Sequence, residues 1–177
     1  PWRLCLRFQG RCYRAHDPQW AWSPTSGAGA AVAGGRFNWP GLETLYLATR
    51  LETAVKETTH GFAQRLNPLT LCEYDVDCED IADLRLAQEL DLEGVSFDAL
   101  ACPWTEFMRV GETPPSWLAV RALLASGYAG MWVPSIANGA TRDHTNLVLW
   151  DWADTPPHKV AVYDPYGRLP RNNLSWT

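Results

Sequence analysis

The chain has 177 residues, with 15 Lys and Arg against 20 Asp and Glu, for a net charge of −5. That balance argues against the basic surface a nucleic-acid binder needs to neutralise phosphates. Hydrophobic residues make up 46% and charged residues 20%, a folded rather than disordered composition, and no stretch approaches the ~18 consecutive apolar residues of a membrane span.

One domain over residues 1–177 is the expectation, large enough to bury roughly 70% of its unfolded surface without a metal or disulfide staple. Residue 1 is Pro, so the chain is not expected to begin at the native translation start. The first twenty residues are not expected to form a signal peptide. The five cysteines contain no C-x-x-C, and the four histidines no H-x-x-x-H. Free thiols, a cytoplasmic location and no metal site follow as expectations.

Residues 3–15 alternate apolar and polar side chains around Gly10 and predict two short strands with a turn there. Residues 18–35, rich in Pro, Gly, Ser and Ala, predict a long loop with at most a turn of helix. A buried strand is expected at 45–48, then a helix opened by a Thr49/Glu52 capping box and stopped at Gly61. Residues 69–78 predict a strand with Cys72, Tyr74, Val76 and Cys78 on one face and Glu73, Asp75 and Asp77 on the other. A short helix is expected at 81–90 and irregular structure over 91–114. A firmer helix follows Pro114-Pro115, capped by Ser116 and ended by Gly127. Strands are expected at 129–133, 146–151 and 159–163. This order does not alternate strictly as βαβα, so the fold class is α+β with a mainly antiparallel sheet.

Several features point toward chemistry without selecting it. The run GAGAAVAGGR at 27–36 is neither G-x-G-x-x-G nor a P-loop. Its glycines would let backbone approach an anionic ligand while Arg36 pairs with it. There are 10 tryptophans. Trp20, Trp22 and Trp39 in the loop region, and Trp150 and Trp152 on a strand, would suit stacking on sugars or bases, although core packing is the commoner fate of Trp. Glu52 and Glu57 flank the apolar stripe of their helix on opposite sides, so periodicity does not choose between them.

In order, Tyr13-Arg14, Gly34-Gly35-Arg36-Phe37-Asn38 with Gly41, Leu45-Tyr46-Leu47-Ala48, Glu52-Thr53-Ala54 with Glu57, Val133-Pro134-Ser135 and Asn146 resemble the RES-domain toxins of bacterial toxin–antitoxin modules. The resemblance runs from about residue 10 to 165. Phe37 replaces the commoner Trp, the strand NLVLWDW departs from the family pattern, and residues 166–177 match none of it.

The resemblance implies a split antiparallel sheet with flanking helices around an NAD cleft, similar to the diphtheria-toxin-like ADP-ribosyltransferases. It implies cleavage of the nicotinamide–ribose bond of NAD as substrate, and a helix-turn-helix (Xre-like) antitoxin that covers the site. The roles it carries are Glu57 as the carboxylate at an oxocarbenium-like transition state, Arg14 and Arg36 as pyrophosphate ligands, and Tyr46 as a ring stacked on nicotinamide. Ser135 would hydrogen-bond Glu57 or the ribose, and Asn38 and Asn146 would support or contact the dinucleotide. Arg14, Glu57 and Ser135 form the expected catalytic set.

Transfer of ADP-ribose to a host metabolic protein is the leading expectation, because the C-terminal region departs most from the NAD-degrading pattern. NAD degradation with water or phosphate as acceptor is the alternative. A Trp-rich module binding a carbohydrate or protein is the distant one.

Overall fold

A computed structural model of the chain describes residues 5–59, 67–86, 95–137 and 139–176. Its spine is β3 (Thr70–Asp83), which carries the alternation expected from residue 70 onward. Tyr74 and Cys78 are fully buried, and Cys72 and Val76 nearly so. β1 (Cys5–His16) runs antiparallel along the whole of β3, from Cys5 opposite Ala82 to His16 opposite Thr70. The expected turn at Gly10 does not form. Gly10 lies inside a continuous strand, opposite Val76, with the Phe8 ring 3.7 Å from the position a Cβ would take.

The other edge of β3 serves two partners. β6 (His158–Val162) pairs antiparallel with Tyr74–Cys78, and β4 (Gly130–Pro134) pairs in parallel with Ile81–Asp83. Between them the register with β1 shifts, and Asp80 takes a left-handed φ of 56°. A bulge of this kind bends a strand and raises its twist, as barrel closure needs. β5 (Thr145–Leu149) joins β4 to β2 (Leu45–Ala48), and β2 meets β1 at a single residue pair, Tyr13 opposite Ala48. The sheet therefore closes as a five-strand barrel, β1-β2-β5-β4-β3, with β6 appended to β3. This corrects the expected split antiparallel sheet: one strand pair is parallel, and the ring is closed, though by one thin seam.

The bulge also explains the misread segment at 81–90. Ile81 and Ala82 are both fully buried, so the period-2 signal breaks while the strand continues to Asp83. The rest of that expected helix, 87–90, lies outside the described residues, as does the stop at Gly61. Helix α1 (Ala28–Ala33) sits within the Gly-rich loop, and α2 (Leu51–Thr59) follows β2. The Thr49 capping box is absent, because the Thr49 hydroxyl bonds instead to Thr145, at 2.6 Å to its Oγ1 and 3.1 Å to its carbonyl oxygen.

The stretch expected to be irregular holds two short helices, α3 (Phe97–Ala101) and α4 (Trp104–Val110). At five and seven residues, neither is long enough to show a period. Helix α5 (Pro115–Ala125) starts as expected but is not capped by Ser116, which is buried inside it. The strands expected at 45–48, 129–133, 146–151 and 159–163 are present within two residues at each end.

The core has two parts. Leu45 and Leu47 from β2, Leu147 and Leu149 from β5, and Cys12, Tyr74 and Cys78 pack on one face of the ring. Val148, Met131 and Val133 pack on the other, against Val120 and Leu123 of α5. Alternation along β2 and β5 thus turns Tyr46 and Asn146 away from the leucine face, toward α2.

Candidate active site

A cavity of about 270 Å³ opens at the seam where β1 and β2 share one residue pair. Tyr13 and Arg14 of β1, Tyr46 of β2, Ala54 and Glu57 of α2, and Asn146 of β5 are among its lining. Four residues singled out from the sequence, Arg14, Tyr46, Glu57 and Asn146, thus meet in one place. Glu52, on the same helix as Glu57, is exposed.

Glu57 is held by two donors on one oxygen. Ser135 Oγ donates to Glu57 Oε1 at 2.5 Å, and Asn146 Nδ2 donates to the same atom at 2.7 Å. Oε2 accepts no hydrogen bond from the described residues. Ser135 follows β4 and Asn146 lies in β5, so adjacent strands fix the carboxylate. The amide orientation of Asn146 follows from its neighbour, since its oxygen cannot face a carboxylate oxygen.

Arg14 rests on the backbone. Its Nη1 donates to the carbonyl oxygens of Pro24 and Ser26, both at 3.0 Å. Arg36 is seated likewise, with Nη1 donating to Cys102 O at 2.6 Å and Leu100 O at 3.3 Å. Burial lowers the pKa of both guanidinium groups, and Arg36 also feels the Glu57 charge, which opposes that shift. Neither forms an ion pair among the described residues, whereas Arg7, Arg11, Arg50, Arg85 and Arg109 each have an acidic partner. A desolvated guanidinium without a carboxylate partner is suited to an anion. Arg36 is not part of the cavity lining; its link to the site is the proximity to Glu57 and Tyr46.

Asn38 sits behind the cavity. It is fully buried, and its Nδ2 donates to the carbonyls of Ala30, Trp39 and Leu42. Its Oδ1 accepts from the Tyr46 hydroxyl at 2.8 Å, which in turn accepts from Phe37 N. Burial pushes the Tyr46 phenol pKa up, so the ring is a neutral face. The glycine at 35 serves this contact: a Cβ there would lie 2.8 Å from Asn38 Oδ1 and 2.9 Å from the Tyr46 hydroxyl. The close approach in the Gly-rich segment is thus made by the protein's own side chains.

Tyr13, which precedes Arg14 in the same motif, lines the cavity as well. The groups that hold the loops carry no mark of that role in their spacing. Trp117 Nε1, Ser116 Oγ and Trp150 Nε1 donate to the consecutive carbonyls of Gly35, Arg36 and Phe37 at 2.8, 2.6 and 3.0 Å. Trp150 is therefore a buried strut, and Trp39 lies under the Arg121 guanidinium at 4.4 Å. Trp20 and Trp22 remain exposed. Among the described residues, no group of three or more His, Cys, Asp or Glu side chains could hold a metal, and no helix is long and apolar enough to cross a membrane.

The RES domain family model matches residues 11–172, so the likeness extends beyond the expected end near residue 165. With most of its length covered, the chain belongs to the RES domain family. Among solved structures, it is similar to a chain in the crystal structure of the M. tuberculosis MbcT-MbcA toxin-antitoxin complex, with 22% identity and a TM-score of 0.55 over 90% of this chain and 84% of that one. At that identity the likeness establishes the fold. No curated protein matches the chain.

Proposed function

We propose that this RES-domain protein is the toxin of a toxin–antitoxin pair, and that it breaks the nicotinamide–ribose bond of NAD and passes the ADP-ribose to a host protein. The whole of residues 1–177 is read as one RES domain acting in the cytoplasm, where NAD is available. The observation that carries the chemistry is Glu57, whose Oε1 is fixed by two donors while Oε2 has no partner among the described residues. Such a carboxylate stabilises positive charge developing at the ribose and orients the attacking acceptor. Ser135 and Asn146 hold it in place without contributing charge of their own.

The residues present fit the dinucleotide. Tyr46 offers a neutral ring within the cavity, suited to nicotinamide. Arg14 and Arg36 offer guanidinium groups with no carboxylate partner among the described residues for the pyrophosphate, where a planar fork is better shaped than an amine. Asn38 acts on the dinucleotide through Tyr46, whose hydroxyl it holds.

The partner follows from the same family. The M. tuberculosis structure is a toxin–antitoxin complex, and for this chain the partner is a helix-turn-helix antitoxin that covers the cleft beside Arg14 and Arg36. Etheno-NAD tests the reading directly: release of fluorescence by wild type is expected, and none would refute it. Labelled NAD with a bacterial lysate then identifies the acceptor. A labelled protein band is expected, whereas free ADP-ribose or its phosphate alone would replace transfer by degradation.

A further inference from the structure

The proposed reaction assigns no role to the ten tryptophans, yet one of them holds the carbonyl between the two on which Arg14 rests. The consecutive carbonyls of Pro24, Thr25 and Ser26 are each taken by a side-chain donor. Pro24 O accepts from the Tyr74 hydroxyl at 2.7 Å and from Arg14 Nη1 at 3.0 Å. Thr25 O accepts from Trp152 Nε1 at 3.0 Å, and Ser26 O accepts from Arg14 Nη1 at 3.0 Å. The strap 24–26 is thus tied from β1, from β3 and from the segment after β5. The next residue leaves room for the Trp152 ring: a Cβ on Gly27 would lie 2.6 Å from that ring and 2.7 Å from Thr44 N.

We propose that Tyr74 and Trp152 are positioning residues for the NAD site. By holding the strap, they fix the two carbonyls on which the Arg14 guanidinium rests, and so aim its remaining donors. This rests on the NAD reading above. No carboxylate pairs with Arg14 among the described residues, so no ion pair sets the direction of its fork. A long side chain placed for binding needs such support from the groups around it.

Tyr74→Phe removes one donor and keeps the ring, and Trp152→Phe removes one donor and trims the indole to a single ring. Calorimetric titration with carba-NAD, which cannot be cleaved, is expected to show affinity reduced about three- to tenfold in each variant, the weight of one hydrogen bond. In an Arg14→Lys background, adding Trp152→Phe is expected to give less than about a twofold further loss, because both changes act through one group. Hydrogen exchange of the ligand-free protein is expected to be faster at residues 23–27 in both phenylalanine variants.

Unchanged affinity in both variants, a Trp152 effect that adds in full to that of Arg14→Lys, or unchanged exchange would each overturn the proposal. In those outcomes wild type still binds carba-NAD. A wild type that neither binds carba-NAD nor consumes NAD overturns the NAD reading itself, and the two failures are thereby distinguished.

Discussion

Glu57 and Glu52 show how much of a site a sequence can carry. Both flank the same helical stripe, and spacing alone treats them alike. The fold separates them, because β4 and β5 deliver Ser135 and Asn146 to Glu57 while Glu52 faces solvent. Only the order of motifs made Glu57 legible beforehand. Glu57→Gln is expected to keep the fold and lower NAD cleavage by about 10²-fold or more, the usual weight of an electrostatic group at such a transition state. Glu52→Gln should stay within about twofold, and near-normal turnover by Glu57→Gln would remove the carboxylate from the mechanism. Arg36→Lys keeps the charge but loses the planar guanidinium, whose Nη1 donates to Cys102 O and Leu100 O. NAD affinity is expected to fall about tenfold. An unchanged dissociation constant by calorimetry would make Arg36 a strut for α3. Asn38 could not be placed from its motif, since a motif gives a residue's identity and not the direction of its side chain.

At the scale of elements, the legible parts were those with a clean period. The face of β3 from Cys72 to Cys78 and the short strand β2 follow directly from alternation. The end of β3 was illegible because a bulge at Asp80 resets the phase, and α3 and α4 are too short to have one. Ser116 illustrates a different limit. Its position after Pro114-Pro115 reads as a cap, but its hydroxyl reaches across to Arg36 O, 80 residues away in sequence. Ser116→Ala would leave that carbonyl without its buried partner, at a cost of about 1–3 kcal/mol. Urea unfolding would show this, and a loss below about 0.5 kcal/mol, the lower end for a net hydrogen bond, would mean the carbonyl finds another donor. The end of β1 is expected to respond to pH. His16 is buried beside Arg14, and burial holds its pKa below the ordinary 6.5. Protonation therefore favours the unfolded chain. The stability His16 contributes is complete above pH 6.5 and is lost as pH falls through its folded value. Melting temperature measured from pH 7.5 to pH 5 should fall less in His16→Gln than in wild type, and equal slopes would exclude this group.

For the whole molecule, the cavity lies where ring closure is thinnest, so anything that fills the cleft also sits on the seam between β1 and β2. An enzyme that consumes NAD harms its own host, and control by a covering partner is the natural answer. Expression of wild type alone is expected to arrest growth, Glu57→Gln is expected to be tolerated, and the antitoxin complex is expected to lose NAD binding. Harmless expression of an active wild type, or full NAD affinity in the complex, would exclude control by occlusion. The struts around the cleft have an optical consequence. Indole N–H groups from Trp117, Trp150 and Trp152 end on the loops that carry or brace Arg36 and Arg14, and indole emission is sensitive to its hydrogen bonds and to water. Three of the ten tryptophans therefore report on the loops around the site. Loosening either loop should shift their share of the ultraviolet fluorescence to the red, so that cleft order can be followed without a label while ligand or partner is added.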